Sequence, residues 1–362
     1  MDTLILAVNP GSTSTKIAVY RNRKEVFREE IRHSLKQLET HSSLSSQFEM
    51  RKALISRALK KHGIAPEDLS CAVGRGGQLP PVKAGGYLVN EAMKRRLIEG
   101  PVIRHASNLG ALLADAFASP CGKPAFIYDA VSSDEMRPVA KITGMPEIRR
   151  QSFCHVLNTK AMARKAAEKA GKKYEEMNYI VAHLGGGISV SAHEHGRIVD
   201  SIGDDDGPFS PERSGSVPLH AFIDLCFRDG TPDREAVLSR LHGKAGMAAY
   251  MKTSDCRKIE ERIRKGDEKA RQIYEAQAYQ AAKAIGEMAP VIHGKIDAVI
   301  LTGGLACSRK MTSMIRKRVR FLAPVIVMPG DCELEALALG ADRILRKEEK
   351  AHIYKDPLYG SR

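Results

Sequence analysis

The chain of 362 residues contains no Trp and only 5% aromatic residues. That leaves little material for an aromatic-lined carbohydrate groove or for stacking against single-stranded nucleic acid. No basic run is interleaved with aromatics, so the net charge of +14 is not gathered into a nucleic-acid patch. Pairs such as Lys60-Lys61 and Arg164-Lys165 read as solvated helix faces, and the remaining surplus favours small anionic partners. No apolar run approaches the length that spans a bilayer. The short apolar stretch at 4–8 follows Asp2 and lacks the basic flank and length of a signal peptide. Seven Cys, at 71, 121, 154, 226, 256, 307 and 332, show neither CxxC nor paired metal spacing, the usage of reduced thiols in a cytosol. These absences predict a cytoplasmic globular protein with neither membrane nor nucleic acid among its partners.

With 43% hydrophobic and 28% charged residues, the length suits two domains, each with its own core. Residues 4–8 and 16–20 are β-rich runs on either side of the turn sequence NPGSTST at 9–15, and 24–31 completes a meander. A helix is expected over 48–62, with Leu54, Ile55, Ala58 and Leu59 on one face and Gly63 and Pro66 ending it. A second covers 107–119, with Leu109, Leu112, Leu113, Ala116 and Phe117 in helical spacing and His105 just ahead of it. Residues 125–128 form a buried strand that delivers Asp129 at its C-terminal end, where open α/β sheets place ligands.

Residues 179–199 copy the plan of 4–26: strand, small-residue turn (HLGGG at 183–187), strand, polar tip (HEHG at 193–196), strand. Downstream come a long helical region at 258–293, a strand at 298–302, the Gly303-Gly304 turn, a strand at 325–328 and a last helix over 332–345. Each half thus opens as a β-meander and continues as α/β, the pattern of a duplicated fold. The two glycine-bearing turns occupy equivalent places in the repeat. Backbone N–H groups in such turns can approach phosphate oxygens, although either turn alone reads equally as a plain hairpin. Neither GSTSTK at 11–16 nor GRGGQL at 74–79 completes a Walker A or a GxGxxG fingerprint.

The ordered segments LAVNPGSTSTKIAVY, VGRGGQLPPV, RHASNLGALLA, IYDAVSSDEM, CHVLNTKAMARKAAE, AHLGGGISVSA, PERSGSVP, SDCRKIEERI, DAVILTGGLA and PGDCELEALALGAD resemble butyrate kinases of the acetate kinase group. That group lies within the acetate and sugar kinase, Hsc70 and actin superfamily. The resemblance implies two duplicated ribonuclease H-like domains around a central nucleotide cleft. The first would span 1–150 plus a returning helix at about 332–362 and bind the acid; the second, 151–331, would bind the nucleotide. It also implies ATP/ADP and Mg²⁺ as cofactors, a short-chain carboxylate and an acyl phosphate as substrate and product, and a homo-oligomer.

Residue by residue, Asn9, Gly11, Ser12, Thr13, Ser14 and Lys16 resemble the first phosphate loop, and His183, Gly185, Gly186 and Gly187 the second. Asp255 and Arg257 resemble the adenosine segment, with Cys256 in place of an aromatic, and Gly303 and Gly304 the adenosine turn, with Ala306 where acetate kinases carry Gly. Arg75, His105, Asp129, His155 and Arg213 match catalytic positions, Asp129 and Glu333 the metal positions, and Glu335 is a second match for the acid of the last helix.

The chemistry agrees with this set. A carboxylate acceptor is already ionised and needs no general base, so the requirement is to suppress repulsion between it and the γ-phosphate, which Arg, His and Mg²⁺ supply. Arg213, beside Pro211 and Ser214-Gly215, offers a guanidinium fork suited to phosphoryl oxygens. Each residue also has a plainer reading: Arg213 a surface loop cation, His105 and His155 helix-start residues, Asp129 a cap. Asp204, Asp205 and Asp206 ahead of Gly-Pro read as a solvated loop, and His193 and His195 lack the further ligands a zinc site needs. A nucleotide-dependent sensor on the same fold is the alternative of another class, and it would need an added recognition domain.

Overall fold

The computed structural model describes residues 2–41, 43–100, 105–203, 205–228 and 230–357. Asp204 of the acidic run, Arg104 of the RHASN segment and the end of the expected returning segment, 358–362, lie outside the described residues. In chain order the elements are β1 (Leu4–Pro10), β2 (Ser14–Arg21), β3 (Lys24–Arg32), α1 (Leu35–Thr40), α2 (Leu44–Lys61), β4 (Cys71–Arg75), β5 (Gly86–Leu88), α3 (Glu91–Glu99), α4 (Leu109–Ala118) and β6 (Ala125–Tyr128). They continue as α5 (Val156–Lys169), β7 (Asn178–Leu184), β8 (Ile188–Glu194), β9 (Arg197–Ile202), α6 (Leu219–Phe227), α7 (Arg234–Leu241), α8 (Gly246–Met251), α9 (Cys256–Arg264), α10 (Glu268–Met288), β10 (Ala298–Gly303), α11 (Arg309–Val319), β11 (Val325–Pro329), α12 (Glu333–Leu345) and β12 (His352–Ile353).

The chain divides into two compact units, Met1–Asp134 with Cys332–Arg362, and Glu135–Asp331. The first contains a sheet of order β12-β5-β6-β4-β1-β2-β3, the second a sheet of order β11-β10-β7-β8-β9. Within these, β3-β2-β1-β4-β6 and β9-β8-β7-β10-β11 are the same design. Two antiparallel pairings are followed by two parallel ones in each. The fold is mixed α/β with a duplicated ribonuclease H-like plan. Strand β1 is buried along its whole length, as the unbroken apolar run LILAV requires of a strand covered on both faces.

In unit 1 the core joins Leu6, Val8 and Ile17 of the sheet to Ile55 and Leu59 of α2 and Leu113 of α4. In unit 2 it joins Ala182 and Val190 to Tyr274, Ala278 and Ile285 of α10 and to Ile315 of α11. The helical region expected at 258–293 is two helices. Gly266, at φ +86, ends the first, and Asp267 caps the second by accepting from the backbone N–H of Ala270.

Unit 2 begins at Glu135 rather than near 150 because the intervening chain is bonded to it. The Glu135 carboxylate accepts from Lys160 Nζ at 2.7 Å and from the Ile198 amide at 3.1 Å. The Arg137 amide donates to Val199 O at 3.0 Å. Arg150 reaches Asp200 at 3.1 Å and Ser201 O at 2.7 Å. Among the described residues no helix is long and apolar enough to cross a membrane.

Candidate active site

In unit 1 the end of β1 and the start of β2 place Asn9 opposite Lys16 and Pro10 opposite Thr15. Residues facing each other in an antiparallel pair share a sheet face. Asn9 and Lys16 therefore share one face and Thr15 lies on the other. Between the strands, the Gly11 amide donates to Ser14 O at 2.8 Å, and the exposed Ser12 and Thr13 offer N–H groups with no acceptor among the described residues. Phosphate oxygens suit such donors. On the Asn9 face, Asn9 Nδ2 donates to Glu333 Oε2 at 2.5 Å and Arg75 Nη1 lies 3.4 Å from the same oxygen and 3.5 Å from Asn9 Oδ1. The first turn of α12 and the last residue of β4 thus meet at the tip of β1. His105 Nε2 lies 3.5 Å from Ser12 Oγ, while its Nδ1 accepts from the Ser107 amide at 3.1 Å. Asp129 has φ +42 just past β6, and its buried carboxylate accepts from the Gly85 amide at 2.8 Å.

In unit 2 the register repeats, with His183 opposite Ser189 and Leu184 opposite Ile188. The His183 and His155 rings stack at 3.9 Å between centroids and 8° between planes. His155 Nδ1 is 2.8 Å from Ser189 Oγ. Asn158 Nδ2 is 2.9 Å from His183 Nδ1 and donates to Thr302 Oγ1 at 3.2 Å, whose hydroxyl donates to Gly330 O at 3.1 Å. The 185–187 turn closes through Gly185 N–H to Gly187 O at 3.0 Å. Arg213 is brought to it by a second turn. Ser210 Oγ donates to Gly186 O at 2.6 Å and accepts from the Arg213 amide at 3.0 Å, and the Glu212 amide donates to Gly186 O at 3.2 Å. Two imidazoles, a guanidinium-bearing loop and a glycine turn therefore form one constellation.

A family model described as the acetokinase family matches residues 139–352. The chain belongs to the acetokinase family. Members of this family are carboxylate phosphotransferases that use ATP and ADP. Among solved structures, the chain is similar to the acetate kinase of Porphyromonas gingivalis, at 18% identity and TM-score 0.78, covering 95% of this chain and 100% of that one. It is similar to a propionate kinase from Francisella tularensis subsp. tularensis SCHU S4, at 20% identity and TM-score 0.71, covering 93% and 98%. A ROK hexokinase from Thermus thermophilus shares the fold at 13% identity and TM-score 0.53, covering 96% and 100%.

In this acetokinase family member the adenosine candidates sit apart in character from the phosphate candidates. Gly303, at φ +90, presses so close to β7 that a Cβ would lie 2.4 Å from Leu184 O, so only glycine fits there. Asp255 caps α9 and binds exposed Arg257 through both oxygens, at 2.9 and 3.0 Å. That pairing holds the Asp255 carboxyl down at about 2. Cys256 points inward, its Sγ 3.9 Å from Met247 Sδ, and burial pushes its thiol up to about 12. The residue standing at the aromatic position is thus used for core packing.

Glu333 and Asp129 are oxygen donors of the kind Mg²⁺ takes, and Asn9 and Arg75 both engage the one oxygen Oε2 of Glu333. Among the described residues no group of three or more His, Cys, Asp or Glu is assembled to hold a metal ion. Lone carboxylates of this kind suit an ion whose shell is completed by water and phosphate, as Mg²⁺ prefers, rather than a protein cage.

Sequence reasoning did not single out Asn158, Ser189, Ser210 or Arg51. Asn158 lies three positions after His155 at the start of α5, a spacing that puts both on one helix face. Arg51 falls on the buried stripe of α2 with Ile55, Ala58 and Leu59, a cation where the helical pattern calls for an apolar residue.

Proposed function

We propose that the chain transfers the γ-phosphoryl group of ATP to a short-chain carboxylate, with butanoate as preferred acceptor: butanoate + ATP gives butanoyl phosphate + ADP, reversibly. The observation that carries this reading is the unit 2 constellation, where the stacked His155–His183 pair and the Arg213 turn converge on the 185–187 turn. A carboxylic acid with a pKa of about 4–5 is ionised at neutral pH. Its oxygen attacks the γ-phosphorus directly, the bond to the β-phosphate oxygen breaks, and ADP departs without any proton being moved. What the protein must supply is positive charge and hydrogen-bond donation around three crowded anionic oxygens, the work of Arg213, His183 and His155.

In unit 1, Arg75 would receive the carboxylate, the turn at 11–14 with Lys16 would hold phosphate, and His105 beside Ser12 would add a donor. Asp129 and Glu333 would hold Mg²⁺, which when bound neutralises phosphate charge and orients the leaving oxygen. Gly303, Gly304, Asp255 and Arg257 would lie along the nucleoside. Unit 1 would then serve the acid and unit 2 the nucleotide.

Support for butanoate comes from the VGRGGQLPPV and CHVLNTKAMARKAAE segments. The fold likeness to an acetate kinase and a propionate kinase favours a smaller acceptor as the second reading. One methylene in an apolar pocket discriminates by only about 1–3 kcal/mol, so neighbouring acids would react as well. ADP release with hydroxylamine trapping, run on acids from acetate to hexanoate, tests both. Butanoate should give the highest kcat/KM. Acetate turning over best would overturn the acceptor assignment, and no turnover with any acid would overturn the reaction.

A further inference from the structure

Beneath the turn at 11–14, on the face away from Asn9, lies a cation with no role in the scheme above. Arg51 of α2 is fully buried, at 0% exposure. Its Nη1 donates to Ser14 O at 3.1 Å and to Thr15 Oγ1 at 2.7 Å, and its Nη2 donates to Gln47 Oε1 at 3.2 Å. Among the described residues its buried Nε has no partner and no carboxylate reaches the guanidinium. His33 completes the layer. Its Nε2 is 2.9 Å from Thr15 Oγ1 and its backbone N–H donates to Thr13 O at 2.9 Å.

A guanidinium removed from water without a counter-ion is costly, and proteins usually retire such a group to a carboxylate. Here every described acceptor is neutral. The donors instead seize the carbonyl of Ser14 and the hydroxyl of Thr15, while the His33 amide, just past β3, seizes the carbonyl of Thr13. With those oxygens drawn inward, the exposed side of the turn presents N–H groups and, behind them, one unneutralised positive charge.

We propose that Arg51 is a positioning residue for this turn, fixing its shape through Ser14 and Thr15 and supplying a buried charge that is balanced when the phosphates of a nucleotide sit on the turn. The inference rests on the proposed role of the turn as a phosphate loop. Burial lowers the guanidinium to about 10, so the charge is present at neutral pH.

The test uses the full chain with ADP as probe, read by titration calorimetry and by thermal unfolding with and without ADP, no acid being present. Arg51→Met should weaken ADP binding by about tenfold or more while the unliganded melting temperature holds or rises, since an unpaired buried charge is removed. Arg51→Lys, which keeps the charge, should recover most of the affinity. A purely structural arginine gives the opposite pattern, a lower melting temperature with unchanged affinity. Arg51→Met binding ADP within about twofold of wild type overturns the proposal. If that variant does not fold, Thr15→Val decides: a three- to tenfold loss is expected on the order of one lost hydrogen bond, and wild-type affinity overturns it. A wild type that binds ADP but phosphorylates no short-chain acid would sink the proposed function and leave this test intact. A wild type that does not bind ADP would sink both.

Discussion

The two units build the same hairpin and finish its underside differently. Position for position, the Asn9–Lys16 and Pro10–Thr15 pairs of unit 1 correspond to the His183–Ser189 and Leu184–Ile188 pairs of unit 2. On one face a helix start reaches each hairpin, Glu333 of α12 to Asn9 and Asn158 of α5 to His183. On the other face the likeness ends. Thr15 is hydrogen-bonded to Arg51 and His33, whereas Ile188 is packed into the apolar core of unit 2. Unit 2 ties the Arg213 loop to Gly186 of its turn. Unit 1 has Lys16 and Arg75 on the Asn9 face and, beneath the turn, the further cation Arg51. Duplication preserved the scaffold, and divergence put a buried cation under one turn and an apolar side chain under the other.

The largest expected effect breaks this comparison at Arg213. Arg213→Ala removes the charge proposed to act on the transferring group, and phosphoryl transfer should fall by about a thousandfold or more in kcat. ADP affinity should stay within about threefold, because the 185–187 turn remains. Arg51→Met should give the mirror result, with affinity lost before turnover. Rates for Arg213→Ala within about tenfold of wild type would show that charge on the Arg213 loop does not drive the chemistry.

Much of this was legible beforehand, for definite reasons. Strand and turn chemistry at 4–26 and 179–199 exposed the repeat, because apolar runs broken by small residues leave few alternatives. The helix stripes of α2 and α4 were equally plain. What escaped were partners set by register and long-range packing. Nothing local to Asn158 says that it will meet His183 and Thr302. Nothing near Ser210 says that its hydroxyl will tie the Arg213 turn to Gly186. The start of unit 2 at Glu135 depends on bonds to residues as distant as Asp200 and Val291, whose carbonyl accepts from Arg137 Nη1 at 2.8 Å. Arg51 was visible only as an anomaly in an apolar stripe.

A second prediction sharpens the contrast through pH. His33, set against Thr15 and Arg51, is held down at about 4, first by burial and then by the Arg51 charge. Since its folded value lies below the unfolded one, its contribution is present above about pH 6.5 and is lost as pH falls toward 4. His193 in unit 2, completely buried between Tyr174 and Ser191 and near Lys160 and Arg164, acts in the same direction. Between pH 7 and pH 5 the stability difference between wild type and His33→Gln should shrink by about 2 kcal/mol, read from unfolding midpoints. A difference that does not change with pH would mean that His33 titrates alike in the folded and unfolded chain, and that the layer under the first turn does not exclude its charged form.

The smallest effects come from one substitution made at matched places. A Cβ at Gly185 would lie 2.8 Å from His183 Nε2, whereas at Gly11 the nearest atom is Ser14 O at 3.4 Å, an ordinary contact. The closest atoms belong to the His183 ring, with Gly187 O at 3.2 Å, so a swing of His183 and a small adjustment of the turn admit the methyl group and the fold survives. Leaving its stack on His155, however, moves the imidazole from where the phosphoryl oxygens would be. Gly185→Ala should therefore lower kcat by about tenfold with little change in melting temperature, and Gly11→Ala by about twofold or less. Equal losses at both positions would mean that the turns are held to the same tolerance, and the polar layer under unit 1 would then confer nothing that the apolar layer under unit 2 does not.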